Sequence, residues 1–367
     1  MGRLAGLRKS CKRCSAFFLS IHAFRIRISR LAFQDKIVAW EKMKTMEHDH
    51  RVLITNDNPE KLMPLFKERY PDLAIRFLSD ADTLDATLAE FNPTVIFAYP
   101  GEPVPKSKFP VMINYPSVQW ISNSGAGVEH MGQWNPKEKI VTNASGVNAP
   151  FLAQYTIAAH MSANIGMPLY ARQQRQKLWR MEEWQPFDDR RFCIIGLGNI
   201  GQAVAGYAKA LNLRVVGTRG TARPTPNVDE VYDSDNIMRA LTGAEFVSVH
   251  TALTPETKGM ISDDAFAAMA DGAIFLNASR GAVVDEDALL RALDSGKVKT
   301  AILDVFQQEP LPKDHPLWEH ENVIVTPHMA DSVKDWHVNN ARAFCDNLDR
   351  WLAGDQLQNI VDPKKGY

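Results

Sequence analysis

One glycine-rich stretch, G-L-G-N-I-G at residues 196–201, constrains the fold of this chain more than any other part of it. A short apolar run at 192–195 leads directly into it, and an Ala- and Val-rich run at 199–211 follows as a predicted helix. A strand, a G-x-G-x-x-G turn and a helix in this order place backbone N–H groups and the positive end of a helix against a pyrophosphate. Gly196 permits the tight turn, Gly198 lets the backbone approach the phosphates, and Gly201 lets the helix pack closely on the strand. The motif therefore predicts a dinucleotide site.

Composition limits the class of protein. The chain has 367 residues, which favours two domains, and its 45% apolar and 23% charged content is typical of a globular protein. A formal net charge of −1 gives no attraction to nucleic acid or to an anionic membrane, and no apolar run is long enough for a membrane helix. The four cysteines include one C-x-x-C pair, at Cys11 and Cys14, without a second pair at zinc spacing. We therefore predict no metal site, a reducing compartment, and neither nucleic acid nor membrane as a partner.

Residues 1–46 differ from the rest. As far as Lys36 they carry nine Lys or Arg and one acid, Asp35, with apolar residues at near-helical spacing. This composition is typical of a mitochondrial or plastid transit segment, and it also fits a disordered extension of a cytoplasmic protein. A start codon assigned too early, with Met43 or Met46 as the true start, is a third reading. None of these readings assigns chemistry to the segment.

Short apolar strands alternate with helices from Arg51 onward. The first set has predicted strands at 52–55, 73–78, 94–97 and 118–121, with helices at 59–70 and 81–91. A proline-rich loop is expected at 100–116, a helix crossing to a second unit at 148–160, and an exposed connection at 173–189. The second set has predicted strands at 192–195, 213–217, 245–249, 273–277, 300–304 and 322–325. Such alternation predicts an α/β fold with two doubly wound parallel sheets.

The last predicted helix, 333–352, is expected to return to the first sheet and to make that domain discontinuous. We therefore predict a substrate domain at 47–149 and 332–367 and a dinucleotide-binding domain at 150–331. Three polar side chains of the second domain follow strand ends, where open α/β sheets build their sites: Arg280, Glu309 (shortly after Asp304) and His328. Together behind a dinucleotide motif they offer an anion clamp, a proton donor and a partner that raises the donor's pKa.

Six motifs resemble those of the D-isomer-specific 2-hydroxyacid dehydrogenases. They are SGAGVEH (124–130), IIGLGNIG (194–201), HTALTPETKGMI (250–261), NASRGAVVDEDAL (277–289), LDVFQQEPLP (303–312) and TPHMAD (326–331). The resemblance covers nearly everything after the basic extension. It implies a Rossmann nucleotide-binding domain inserted in a discontinuous flavodoxin-like substrate domain. It also implies an oxidoreductase that reduces a small 2-keto acid, such as glyoxylate or hydroxypyruvate, to the D-2-hydroxy acid, and a homodimer.

The resemblance further implies roles for single residues. Arg280 would bind the substrate carboxylate and keto oxygen, His328 would protonate the carbonyl oxygen, and Glu309 would hold the His328 tautomer. Backbone N–H groups around Ala126 and Gly127 would hold the substrate carboxylate. The cofactor would meet the glycine turn with Asn199 and Ile200, its adenosine side would meet Thr251, and its carboxamide would meet Asp304. The remaining positions expected to contact it are Ala278, Ser279, Arg280, His328 and Ala330.

Cofactor choice depends on the end of the second nucleotide-domain strand. The acid that NAD enzymes place there for the ribose 2′-hydroxyl is absent, and the chain offers Thr218 and Arg219, with Arg223 nearby. Arginine suits a 2′-phosphate, so NADP(H) is favoured over NAD(H), with a loop arginine that faces solvent as the alternative reading.

Two other functions share this fold. Formate dehydrogenase pairs its catalytic histidine with glutamine, which Glu309 argues against. A nicotinamide-sensing corepressor keeps a similar set of three residues, so turnover of a 2-keto acid is needed to separate it from an enzyme.

Overall fold

The computed structural model describes residues 50–99 and 104–363 of the chain. The predictions made for the basic extension, residues 1–46, lie outside the described residues. Within the described ranges, no helix combines the length and the apolar character that crossing a bilayer requires. These ranges contain two parallel sheets covered by helices, as the alternation of strands and helices predicts.

The first sheet has five parallel strands in the order β2-β1-β3-β4-β5. This is the flavodoxin-like order, which leaves a crevice at the carboxyl ends of the strands. The strands are β1 Arg51–Thr55, β2 Ala74–Leu78, β3 Val95–Ala98, β4 Trp120–Asn123 and β5 Ile140–Thr142. The helices of this part are α1 Pro59–Arg69, α2 Leu84–Phe91 and α3 Phe109–Ile113.

The second sheet has seven parallel strands in the order β12-β11-β10-β9-β6-β7-β8. Its order reverses beside β6, the strand that leads into the glycine motif, as in dinucleotide-binding sheets. The strands are β6 Arg191–Ile195, β7 Arg214–Arg219, β8 Glu230–Asp233, β9 Phe246–Val249, β10 Ala273–Asn277, β11 Val298–Leu303 and β12 Val323–Val325. The helices are α4 Ala149–Ile165, α5 Met167–Arg175, α6 Asn199–Ala210, α7 Ile237–Leu241, α8 Asp263–Ala268 and α9 Glu286–Asp294.

The last helix, α10 (Trp336–Ala353), returns to the first sheet. Its buried residues recur at helical spacing, which gives one apolar face: Ala341, Phe344, Cys345 and Leu348. Phe344 stacks on Phe97 of β3 with 4.3 Å between ring centroids. Burying a phenylalanine contributes about 1.5–3 kcal/mol, so this face fixes the helix on the sheet. The chain thus leaves the first domain, builds the second and comes back, although the predicted boundary residues stay a prediction.

Three predictions of local structure were wrong. The predicted loop at 100–116 contains a 3₁₀ turn, Lys106–Lys108, and then α3, because proline is compatible with the first turn of a helix. The connection predicted at 173–189 begins inside α5. Strands β5 and β8 were not predicted; both lie at sheet edges and are too short or too polar to show an apolar pattern.

Candidate active site

The glycine turn after β6 has no room for larger residues at two positions. Gly196 has a φ of 100°, and a Cβ there would lie 2.8 Å from the carbonyl oxygen of His250. A Cβ on Gly201 would overlap the carbonyl oxygen of Gly196, so α6 packs directly on the turn. A Cβ on Gly198, in contrast, would meet nothing within 4 Å. The space in front of Gly198 and the amino end of α6 therefore fit a pyrophosphate.

Three other residues predicted to contact the cofactor lie beside this turn. Asn199, the first residue of α6, is exposed and donates from Nδ2 to Ser145 Oγ of the first domain at 3.3 Å. Ile200 is half-buried in the core below the helix. Thr251 follows β9, and its backbone N lies 2.9 Å from where a Cβ on Gly196 would stand. The turn and the loop after β9 thus form one continuous wall.

The end of β7 separates two predicted cofactor residues. Thr218 is only 3% exposed, and its Oγ1 accepts a hydrogen bond from the Gly196 amide at 3.3 Å. Its side chain therefore supports the turn. Arg219 is half-buried and donates from Nη1 to Thr225 Oγ1 at 3.1 Å. Burial, and then the charge of Arg223, lower the pKa of Arg219, and neither arginine pairs with a carboxylate among the described residues. Two neighbouring positive charges without an acidic partner favour a bound anion.

Arg280, just after β10, is held by groups from both domains. Its Nε donates to Glu129 Oε1 at 3.0 Å, and its Nη1 donates to the Ser279 carbonyl at 2.7 Å. Nη2 lies against the backbone of Gly127, where any Cβ would collide with it. Burial alone would raise the pKa of Glu129, but the charge and hydrogen bond of Arg280, together with a backbone hydrogen bond, lower it overall. The guanidinium is therefore fixed in orientation, with Nη2 beside the predicted substrate loop.

The substrate loop at Ala126 and Gly127 has its carbonyls occupied and, among the described residues, its N–H groups free. Asn123 Nδ2 donates to the carbonyls of Gly125 and Gly127 at 3.0 and 2.8 Å, and Asn143 Nδ2 donates to the carbonyl of Ala126 at 2.7 Å. Within the described part of the chain, the N–H groups of Ala126 and Gly127 donate no hydrogen bond. Fixed carbonyls with free N–H groups make a site for a carboxylate.

His328 and Glu309 form a hydrogen-bonded pair. His328 Nδ1 and Glu309 Oε2 are 2.7 Å apart, and Glu309 Oε1 accepts from the Phe306 amide at 3.1 Å. The hydrogen bond to Glu309 raises the pKa of His328, although burial opposes it. Burial alone would raise the pKa of Glu309, but its hydrogen bonds outweigh burial and lower it. The pair therefore favours imidazolium next to carboxylate, with the other ring nitrogen free to donate a proton.

Asp304 fixes the segment that carries His328. It is 2% exposed, and its carboxylate accepts from Thr326 Oγ1 at 2.6 Å and from the amides of Met329 and Ala330 at 2.9 and 3.0 Å. The His328 amide donates to the Asp304 carbonyl at 2.8 Å. The contact of Asp304 with the nicotinamide carboxamide stays a prediction. The same holds for the cofactor contacts of three buried residues that offer mainly their backbone: Ala278, Ser279 and Ala330.

Sequence reasoning missed three residues that hold the site. Glu129 lies inside a quoted motif, but it is 151 positions from Arg280 and in the other domain, so spacing could not reveal the pair. Asn123 ends strand β4 and Asn143 follows strand β5, and a polar residue at a strand end was the available signal. The site thus brings together an oriented guanidinium, free N–H groups and an imidazolium–carboxylate pair, beside a dinucleotide cradle.

Comparisons with known proteins find related dehydrogenases. The family profile described as "D-isomer specific 2-hydroxyacid dehydrogenase, NAD binding domain" matches residues 157–330. The chain is 31% identical over 253 residues to a D-3-phosphoglycerate dehydrogenase of Methanocaldococcus jannaschii, covering 66% of this chain and 47% of that protein. It therefore spans about half the length of that relative.

Two other similarities extend over the whole partner. A glyoxylate reductase of Korarchaeum cryptofilum is 29% identical over 333 residues, covering 85% of this chain and 96% of the relative. A crystal structure of a D-isomer-specific 2-hydroxyacid dehydrogenase from Xanthobacter autotrophicus, in complex with NADPH and MES, is 27% identical. It superposes with a TM-score of 0.73 and covers 87% of this chain and 100% of that one. On these similarities, the chain belongs to the D-isomer-specific 2-hydroxyacid dehydrogenase family.

Proposed function

We propose that this chain reduces a small 2-keto acid of the glyoxylate or hydroxypyruvate kind to the D-2-hydroxy acid. One observation carries the proposal: Arg280 Nη2 lies against the backbone of Gly127, in the loop with the free N–H groups, and the charge of Arg280 also acts on His328 of the His328–Glu309 pair. A carboxylate and an adjacent carbonyl need this combination of an anion clamp and a proton donor.

The residues of the cleft divide the work. The N–H groups of Ala126 and Gly127 and the guanidinium of Arg280 bind the carboxylate, and Arg280 also polarises the keto oxygen. When bound, the dihydronicotinamide would supply a hydride, which is a proton with two electrons, to the carbonyl carbon. The carbonyl π bond breaks, and the oxygen takes the proton from the free ring nitrogen of His328. His328 is left neutral beside Glu309 and regains its proton from water, which completes the balance.

We further propose NADP(H) as the preferred cofactor, with NAD(H) as a weaker one. The support is the pair of unneutralised arginines at the end of β7, Arg219 and Arg223, and the lack of an acid at that position. A 2′-phosphate would relieve the repulsion between them, whereas a ribose 2′-hydroxyl would not. The similar structure from Xanthobacter autotrophicus was solved with NADPH, which is consistent with this choice.

A homodimer is the third part of the proposal. The connection after α5 exposes large apolar side chains, with Trp179 fully exposed and Met181 91% exposed. Adjacent exposed apolar side chains of this size mark a protein contact. Light scattering of the purified chain should give twice the monomer mass, and Trp179→Ser with Met181→Ser should shift it toward the monomer. A monomeric wild type would refute the dimer without touching the chemistry.

A substrate panel tests the activity. The full chain should oxidise NADPH in the presence of glyoxylate or hydroxypyruvate and should leave it unchanged with formate or with no acid. Saturable NADPH binding without turnover of any 2-keto acid would instead favour the corepressor-type module. Consumption of formate with NAD would favour the formate dehydrogenase alternative.

A further inference from the structure

One cation beside the candidate active site has no role in the proposed reaction. Lys106 lies in the 3₁₀ turn Lys106–Lys108, which packs against the 3₁₀ turn Glu129–Met131. That second turn carries Glu129, the carboxylate paired with Arg280. The Phe109 ring, one residue beyond the first turn, meets the His130 ring edge-on with 4.5 Å between centroids. Lys106 therefore lies on a turn that packs against the wall of the substrate domain, by which we mean the turn Glu129–Met131 that contacts Arg280.

The charge of Lys106 reaches both sides of the cleft. Burial, and then the charge of Lys106, lower the pKa of His130 to about 4, so His130 is neutral near pH 7. The same charge is one of the causes that lower the pKa of Glu309, on the other domain. The ammonium of Lys106 is therefore within electrostatic reach of both His130 and the His328–Glu309 pair.

Neither carboxylate of the cleft neutralises Lys106. Glu129 is engaged by Arg280, and Glu309 is engaged by His328. Among residues 50–99 and 104–363, Lys106 has no carboxylate within ion-pair distance, and its side chain is exposed. An exposed ammonium without a partner at the edge of a cleft attracts an anion into it.

The proposed binding mode leaves one substituent of the substrate without a partner. The carboxylate is taken by Arg280 and the loop at Ala126 and Gly127, and the keto oxygen is taken by Arg280 and His328. One face of the carbonyl carbon has to stay open to the nicotinamide for hydride transfer. The group on the third carbon is therefore the part of the substrate left to face the turn that carries Lys106.

We propose that Lys106 binds the substituent on the third carbon of the 2-keto acid and selects substrates in which that substituent is anionic. This inference rests on the proposed function and narrows its substrate class. A hydroxyl at that carbon accepts a hydrogen bond from the ammonium, and a carboxylate or phosphate accepts a stronger, charge-assisted one. Glyoxylate, which lacks this carbon, gains nothing. We therefore expect kcat/KM to be lowest for glyoxylate, higher for hydroxypyruvate, and highest for acids with an anion on the third carbon.

The chain contains a matched control for this idea. Lys108 lies in the same turn, but its charge is not among the causes that lower the pKa of His130 or of Glu309. The test compares wild type, Lys106→Met and Lys108→Met with saturating NADPH on four acids: glyoxylate, hydroxypyruvate, oxaloacetate and 3-phosphohydroxypyruvate. The last two distinguish a carboxylate from a phosphate as the bound group.

Lys106→Met should lower kcat/KM for at least one of the two anionic acids about 10- to 100-fold, the scale of one charge-assisted hydrogen bond. Glyoxylate reduction should not change, and Lys108→Met should behave as wild type. Unchanged reduction of both anionic acids by Lys106→Met would overturn the inference, and so would an equal loss with glyoxylate. In both cases glyoxylate turnover by the wild type leaves the proposed function standing. A wild type that reduces none of the four acids would overturn both.

Discussion

Arg280 and Arg219 both lie at strand ends of the seven-stranded sheet, but their surroundings are opposite. Arg280 is paired with the carboxylate of Glu129 and with a backbone carbonyl. Arg219 has a hydroxyl partner, Thr225, and the like charge of Arg223 nearby. A paired guanidinium is fixed in direction before any ligand arrives, whereas two crowded guanidinium groups are stabilised when an anion binds. The first arrangement suits orientation in a reaction and the second suits affinity for a phosphate.

The two arginines also differ in how much of the fold they need. Arg219 depends on β7 and the loop after it, all within one domain. Arg280 depends on Glu129 and Gly127, which the other domain supplies. Cofactor preference should therefore tolerate changes in domain arrangement, while the reaction should not. The following predictions test that difference, beginning with the largest effect.

Removing Arg280 should be the most damaging change. Arg280→Ala should lower kcat/KM for hydroxypyruvate by about 10²–10³, the scale of losing one transition-state donor. Lysine should replace it poorly, because a point charge lacks the planar fork. Arg291→Ala is the control, since Arg291 pairs with Asp263 on the surface. Near-full activity of a folded Arg280→Ala would show that this residue is misassigned.

Removing the two arginines near the end of β7 should change the preference for NADPH over NADH and nothing else. Arg219→Ala with Arg223→Ala should lower kcat/KM for NADPH about 10- to 100-fold and leave the value for NADH nearly unchanged. Thr218 is left intact because it is buried and supports the glycine turn. Arg214→Ala, at the opposite end of the same strand and paired with Glu230, is the control. A wild type that prefers NADH at moderate salt would mean that Arg219 faces solvent.

Neutralising Glu129 should weaken the paired arginine without removing it. Glu129→Gln keeps an oxygen that can accept from Arg280 Nε but loses the charge, so we expect kcat/KM for the keto acid to fall by about tenfold. The dissociation constant of NADPH, measured by fluorescence, should not change. A loss confined to cofactor binding would contradict the assignment of Glu129 to the catalytic arginine.

Glu309→Gln should have the smallest effect on the rate of keto-acid reduction when that rate is measured at low pH. The hydrogen bond to Glu309 raises the pKa of His328, so keto-acid reduction should persist below that pKa and fall as pH rises through it. Glu309→Gln removes the cause of the rise, and the fall should move to lower pH. Well below both values the mutant should approach wild type, because His328 is protonated in each. A pH–rate profile that does not shift would separate Glu309 from the proton donor.

Local patterns predicted the cofactor half of the site better than the catalytic half. Gly196, Gly198 and Gly201 lie in a continuous strand–turn–helix segment, so their spacing alone describes the turn. Arg280, Glu309 and His328 could be selected because each follows a strand, and parallel strands end at one edge. Their partners could not, since the Glu129–Arg280 pair forms only when two domains meet. The 3₁₀ turn that carries Lys106 was equally hidden, in a stretch whose prolines suggested a loop.

We propose above all that this site delivers a hydride and a proton to a 2-keto acid with fixed stereochemistry. The most direct test of this proposal is chiral analysis of the glycerate formed from hydroxypyruvate and NADPH by the full wild-type chain. We expect D-glycerate, with one molecule formed for each NADPH oxidised. Formation of L-glycerate, or NADPH binding without any glycerate, would contradict the claim.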